Sequence, residues 1–328
     1  MTRVAILSCA HMHVTSYVRD LRTREDVEVV GLYDEDPERG EAFSRREGIP
    51  WQPRMSDLLA QADAVVVGSE NARHGDLVLE AIGARLPVLC EKPLATTLET
   101  GRRMVAVADA ASVPLYMALP VRCVPAVRRL HEMVRGGAVG QPVALVGTNR
   151  GTMPPGWFVD PALAGGGAVM DHTPHVVDIM RWVLDSEVVS VYAEVSDRVH
   201  GTAVDDAAVV TLEFDNGVFA TLDPSWSRPQ GYPTWGDVTL EVVGTGGVIA
   251  LDALAEHLHT YGPSGHRFLP YGDDMDHRLM DAFLAAVLSG EAPPELASGV
   301  DGLRALEVAL AAYASAVRGE TVAVAELL

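Results

Sequence analysis

The chain has 328 residues, enough for two domains of ordinary size with substantial cores. Hydrophobic residues make up 48% and charged residues 21%, the balance of a soluble globular protein and not of a disordered or collagen-like chain. Lys plus Arg total 25 against 45 Asp plus Glu, a formal net charge of −20 with no basic run inside it, which argues against nucleic acid or an anionic membrane as a partner.

The first 120 residues alternate short β-branched runs with helical patterns, the rhythm of parallel βαβ units. A strand is predicted over 4–7, then a helix whose Val14, Tyr17, Val18 and Leu21 recur at i, i+3, i+4 and i+7. Further strands are predicted over 27–33, 64–68, 87–90 and 114–118, with helices around 39–46, 77–84 and 98–110 between them. The pattern is that of a doubly wound α/β sheet, whose ligands lie at the carboxyl ends of the strands.

After residue 120 the rhythm changes. A helix over 124–135 leads to a strand over 142–148, and a Pro- and Gly-rich loop over 151–167 leads to a helix ending near Leu184. A strand over 188–199 follows, then a hairpin over 208–222 turning on Asp215-Asn216-Gly217, and another over 238–251 turning on Gly244-Thr245-Gly246-Gly247. Helices over 275–288 and 302–317 close the chain. The expected division is an α/β domain over 1–120 and an α+β domain over 121–328 with a largely antiparallel open sheet. Cys9, Cys90 and Cys123 form no C-x-x-C pair, no apolar run approaches the length of a membrane span, and the N-terminus lacks a signal-peptide pattern, so a cytoplasmic location with reduced thiols is expected.

The first βα turn reads Ser8-Cys9-Ala10-His11-Met12-His13, where a dinucleotide fingerprint G-x-G-x-x-G would stand. Ser8 and Ala10 are small enough for the tight turn, while His13 replaces the third glycine. Asp34 ends the second strand, where a carboxylate accepts hydrogen bonds from an adenosine ribose and repels a 2′-phosphate, favouring NAD over NADP. Of the 25 basic residues 24 are Arg, and the single lysine, Lys92, falls at the end of the fourth strand within Glu91-Lys92-Pro93. A compact ammonium there can stabilise an alkoxide that a planar guanidinium could not approach in the same way.

A second cluster runs from Gly165-Gly166-Gly167 through Asp171, His172, Thr173, Pro174 and His175 to Asp178. Asp171, His175 and Asp178 stand at i, i+4 and i+7 on one helical face, the glycines leave room for a substrate, and a His beside a carboxylate is a general acid/base. Pro174, with Thr173 as a possible cap, would start the helix late or kink it. His11, His13, Asp171, His172 and His175 make a metal-dependent hydrolase conceivable, but the spacing matches no structural-zinc signature and no metal is expected.

Taken together, these residues resemble the glucose-fructose oxidoreductase, inositol dehydrogenase and MocA family of nicotinamide-dependent oxidoreductases. The resemblance rests on Glu91-Lys92-Pro93-Leu94-Ala95, on GGGAVMDHTPHVVDIMRWVL, on the Val-Val-Gly-Thr-Gly-Gly turn and on the closing DGLRALEVALAAYASAVRGETV. It implies a Rossmann domain followed by an open-sheet domain that forms homodimers or homotetramers. It further implies Lys92, Asp171 and His175 as catalytic residues, and cofactor contacts from Ser8, Ala10, His11, Met12, Asp34, Ser69, Asn71, His74, Glu91, Lys92 and Arg122. Arg150, Trp157 and His172 are the candidates facing substrate. The expected activity is NAD-dependent hydride transfer at a secondary alcohol of a sugar, cyclitol or polyol. A nucleotide-sensing binding protein that has lost turnover along with its fingerprint glycines is the alternative.

Overall fold

In the computed structural model, residues 1–327 are described except 233, 264 and 271–273. They divide into two compact units, each of several segments. The first comprises Met1–Cys123, Ala162–Gly165 and Met275–Leu306; the second comprises Val124–Pro161, Gly166–Asp274 and Glu307–Leu328.

The first unit holds a five-stranded parallel sheet of β1 (Thr2–Leu7), β2 (Val27–Tyr33), β3 (Ala64–Val67), β4 (Val88–Glu91) and β5 (Leu115–Ala118), ordered β2-β1-β3-β4-β5. Trp51 bridges Leu32 in parallel beyond β2, so a strand that would extend the sheet past β2 is reduced to one bridge. With that bridge counted, the order is the Rossmann order, and its reversal falls between β1 and β3. The helices α1 (His13–Leu21), α2 (Pro37–Glu47), α3 (Met55–Leu59), α4 (His74–Gly83) and α5 (Leu98–Ala111) connect these strands. Helix α1 buries Val14, Tyr17, Val18 and Leu21, the face its periodicity predicts. Asp36 caps α2 by accepting from the amides of Glu38 and Arg39, with Pro37 in the first turn.

A single cut near residue 120 does not describe this unit. Leu279, Met280 and Phe283, from α9 (Met275–Ser289), pack into one core with Val4, Ile6, Tyr17 and Tyr116. An apolar helix face near the end of the chain thus completes the first unit, which no local pattern reveals.

The second unit is built on a seven-stranded sheet ordered β11-β10-β6-β9-β8-β7-β14. Its strands are β6 (Pro142–Thr148), β7 (Val188–Ser196), β8 (Ala207–Phe214), β9 (Phe219–Asp223), β10 (Thr239–Gly244), β11 (Gly247–Asp252) and β14 (Val322–Ala323). The β6–β9 pair is parallel and the other pairs are antiparallel. A separate hairpin, β12 (His257–Gly262) and β13 (Gly265–Pro270), escapes the sequence reading. Helices α6 (Pro125–Arg135), the short α7 (Pro161–Ala164), α8 (Ala168–Leu184) and α10 (Gly299–Arg318) complete the chain; α7 falls in the first unit but for Pro161, and α10 is divided between the units. Leu145, Val210, Leu212, Ala220, Leu222 and Val242 point to the buried face of the sheet, on the side of α8.

Candidate active site

The first unit gathers its candidate residues at the carboxyl ends of β1, β2, β3 and β4. Ser8 adopts φ 66, the left-handed conformation a fingerprint glycine would supply. Gly68, just past β3, lies so close to α1 that an added Cβ would stand 2.1 Å from Val14 Cγ2. The turn therefore keeps the close helix–strand approach of a dinucleotide cradle although its three glycines are absent, and Ala10, His11 and Met12 open α1 where a pyrophosphate would bind.

Asp34 is deeply embedded. Its carboxylate accepts from the Cys9 amide at 2.8 Å, from Ser8 Oγ at 3.0 Å and from Arg39 Nη2 at 2.7 Å. Arg39 also donates to Glu70 at 2.6 Å, so one guanidinium bridges two carboxylates. Burial would raise the Asp34 pKa, but the hydrogen bonds from Arg39 and the Cys9 amide overcome it and hold the carboxyl below its ordinary value. No sequence pattern pairs Arg39 with Glu70: they stand 31 positions apart, and only the sheet order brings them together.

Around Lys92 the chain is tightly tied. The Lys92-Pro93 peptide is cis, and the Pro93 carbonyl accepts from His74 Nδ1 at 2.8 Å. Burial lowers the His74 pKa, which keeps that ring neutral. Fully buried His74 and Ser69 serve as internal supports of this loop, and Asn71 donates to the Ala164 carbonyl at 2.9 Å. Arg122 is buried and lies 3.5 Å from Asp301.

His11, His13 and Glu91 lie together, their nearest ligand atoms within 4.8 Å of one another. The sequence left open whether the two histidines converge, and they do. Glu91 Oε1 accepts from Tyr17 at 2.6 Å and pairs with His13 Nδ1 at 3.2 Å, while His11 Nδ1 accepts the His13 amide at 3.3 Å. Tyr17, one helical turn from His13, was read only as a core residue.

In the second unit, Asp171 and His175 lie in the first half of α8, both buried, as expected for one helical face. Trp226 donates its indole N–H to Asp171 Oδ2 at 3.1 Å, a support with no sequence signal. The helix starts at Ala168, earlier than Thr173-Pro174 led us to expect, because Asp205 and Tyr313 cap it from elsewhere in the chain. Asp205 accepts from the amides of Gly167 at 2.7 Å and Val169 at 2.8 Å, and Tyr313 Oη accepts from Met170 at 3.2 Å.

The glycine run has a different use from the one expected. An added Cβ would stand 2.2 Å from Tyr313 Oη at Gly166 and 1.8 Å from the Asp205 carbonyl oxygen at Gly167, so these glycines serve internal packing. His172 is likewise fully buried, donating Nδ1–H to the Pro224 carbonyl at 2.8 Å with its ring edge-on to Trp235; it supports the helix and does not line a surface. Arg150 pairs with Asp237 at 3.2 Å, and Trp157 stacks on Phe158 at 3.9 Å.

Comparison with known proteins agrees with this architecture. Residues 3–119 match the oxidoreductase family model with an NAD-binding Rossmann fold, and residues 127–250 match the GFO/IDH/MocA C-terminal domain. Myo-inositol 2-dehydrogenase of Thermotoga maritima is 31% identical over 97% of this chain and 92% of its own length. The chain belongs to the GFO/IDH/MocA family of oxidoreductases. The 1,5-anhydro-D-fructose reductase of Ensifer adhaerens is 30% identical over 89% of this chain and 90% of that protein. Among solved structures, GenD2 from gentamicin A biosynthesis, in complex with NAD, superposes with a TM-score of 0.88 at 26% identity over 98% of this chain and 96% of that one. This family member is thus an enzyme of the NAD-binding oxidoreductase class, and nothing among these relatives favours a regulatory binding protein. No helix among the described residues is long and apolar enough to cross a membrane.

Proposed function

We propose that the protein is an NAD-dependent dehydrogenase or reductase acting on a secondary alcohol or ketone of a sugar, cyclitol or related polyol. The observation that carries this reading is the survival, in two separately folded segments, of the family's chemical groups: the lone Lys92 at the end of β4 and the Asp171/His175 pair on α8. A bound nicotinamide supplies the hydride acceptor or donor. In oxidation, the Lys92 ammonium donates a hydrogen bond to the reacting oxygen and stabilises its developing negative charge. His175 takes the hydroxyl proton on its imidazole, and Asp171, braced by Trp226, orients that ring or a neighbouring substrate hydroxyl. Arg122, Arg150 and Trp157 are assigned to recognition of the bound molecules.

NAD over NADP is supported by the charges at the end of β2. Asp34 and Glu70 face the Arg39 guanidinium, and Glu70 also lies 3.8 Å from Arg73, which pairs with Glu35, so three carboxylates meet two guanidiniums and leave an anionic balance unsuited to a 2′-phosphate. Self-association through the open face of the large sheet and a cytoplasmic location complete the proposal, the latter in keeping with three buried cysteines that form no disulfide.

The test is a turnover screen with NAD+ over myo-inositol and hexoses, and with NADH over their keto forms, followed by optical formation or loss of the reduced nicotinamide. Lys92→Arg and His175→Ala should each lower turnover by about a hundredfold or more, the scale on which placed acid–base groups act. Turnover within about tenfold of the parent in both variants would remove Lys92 and His175 from the chemistry.

A further inference from the structure

We propose that His13 is a charged positioning residue: its imidazolium, bonded to the buried Glu91, fastens the β1–α1 turn to the end of β4, in place of the packing that a third fingerprint glycine provides. The inference deepens the reading of Lys92 as the group facing substrate, and rests on it.

The geometry begins with Glu91, whose side chain is fully buried at the last position of β4 and therefore needs positive charge or several donors. It has both. Oε1 meets Tyr17 Oη and His13 Nδ1, and Oε2 accepts the backbone amide of Lys92 at 3.2 Å. His13 is the first residue of α1, so a chain of bonds runs from the start of that helix through Glu91 to the Lys92 backbone.

The two histidines at Glu91 are not equivalent. His11, whose side chain is only 1% exposed, takes the His13 amide on Nδ1 at 3.3 Å and lies 3.5 Å from Glu91 Oε1. His13 aims Nδ1 at the carboxylate and leaves 28% of its side chain open to solvent, from which it can take up a proton. The titratable and charged groups around His13 are Glu91 from β4, Asp276 from α9, Lys92 following β4, and His11 and Tyr17 from its own segment. Burial and Lys92 lower its pKa, but Glu91 and Asp276 more than offset them and hold it above the ordinary 6.5. Glu91 is in turn held well below the carboxylate range by His11, His13 and Lys92, although burial opposes that.

The sign of the effect follows. A histidine whose pKa is raised by its partner contributes its ion pair at neutral pH and loses it as pH rises through the raised value. The turn, and with it the cradle and Lys92, should then loosen in alkali.

The experiment measures NADH binding by fluorescence from neutral to alkaline pH, for the intact protein and for His13→Gly and His13→Gln, with thermal melts to establish folding. His13→Gly restores the fingerprint glycine, yet it should bind NADH about tenfold more weakly at neutral pH, the scale of one charge-assisted hydrogen bond, and show no alkaline fall. His13→Gln, a neutral donor, should be intermediate and equally flat. In parallel, 15N shifts of histidine-labelled protein should show one ring, missing in both variants, protonated at both nitrogens at neutral pH. His13→Gly binding as tightly as the parent with the same pH profile, or a neutral His13 ring at neutral pH, would overturn the proposal. If the intact protein bound no NADH, the cofactor reading would fall, and the ring-nitrogen shifts would still decide the His13–Glu91 pair.

Discussion

Asp34 stands where a strand-end carboxylate meets the adenosine ribose, but its oxygens are already shared among Ser8, Cys9 and Arg39. Its task is therefore double: it holds the βα turn closed through the Cys9 amide, and it helps Glu70 hold Arg39. Asp34→Ala should leave Arg39 facing Glu70 alone, lower the negative charge a 2′-phosphate meets and shift relative affinity towards NADPH over NADH by about tenfold, the scale of one charge at a partly screened site. Titration of both cofactors into both proteins measures the ratio, and an unchanged ratio would put cofactor choice elsewhere. The Asp34 pKa is held below 3.8, so its stabilising bonds are in place above that value and are lost as pH falls through the lower, folded value. Sequence reading reached Asp34 and Lys92 because a strand end is a local pattern. It could not reach Arg39, Tyr17 or Trp226, whose roles depend on which distant carboxylate the fold places beside them.

At the scale of the element, α8 shows how tertiary partners override local signals. Thr173-Pro174 reads as a helix start, yet the helix begins at Ala168 and carries Pro174 inside it. A proline this near the N-terminus loses one backbone bond, and the turn ahead of it is secured from outside by Asp205 and Tyr313. Tyr313 Oη in turn donates to Asp205 Oδ1 at 2.7 Å, so the cap is a linked pair. Asp205→Ala should cost about 2 kcal/mol in chemical denaturation, the upper range for a lost N-terminal cap that leaves buried amides unbonded, and Tyr313→Phe about half as much. Because Asp171 sits one turn into the helix, the same Asp205 variant should lower turnover more than it lowers NADH affinity. An Asp205→Ala protein as stable as the parent would show that the first turn of α8 is held by packing alone. The strands of both large sheets, β14 excepted, and the long helices are legible from periodicity, with small errors at their ends. The Trp51 bridge and the hairpin β12–β13 are not, since each is defined by its pairing partner and not by its own pattern.

For the whole molecule, the large sheet presents a problem of exposed surface. Its buried side carries α8, but along the opposite side Val146, Tyr192, Val209 and Phe219 remain 50%, 37%, 55% and 52% exposed. The register puts Val146 beside Thr221, Thr221 beside Thr211 and Thr211 beside Tyr192, so apolar and threonine side chains run in rows across four adjacent strands. This row of apolar and hydroxyl side chains, flanked by Glu241 beside Val146 and by Glu213 beside Phe219, is more than scattered surface hydrophobicity on a chain of net charge −20, and pairing with a second copy would remove it from water. The mean charge opposes association at long range, which makes the face itself responsible for any dimer. Glu194, Glu213 and Glu241 lie on the same exposed side, and in a two-fold arrangement they must avoid one another, which favours a contact centred on Val146, Phe219 and Thr221. The double variant Val146→Glu/Phe219→Glu should therefore convert an assembly seen by light scattering into monomers while leaving the melting of each folded chain cooperative. Dissociation should also steepen at low salt, where added like charges repel most strongly. An assembly that survives both substitutions at low salt would mean that the open sheet is not the contact, and that these side chains stay in water.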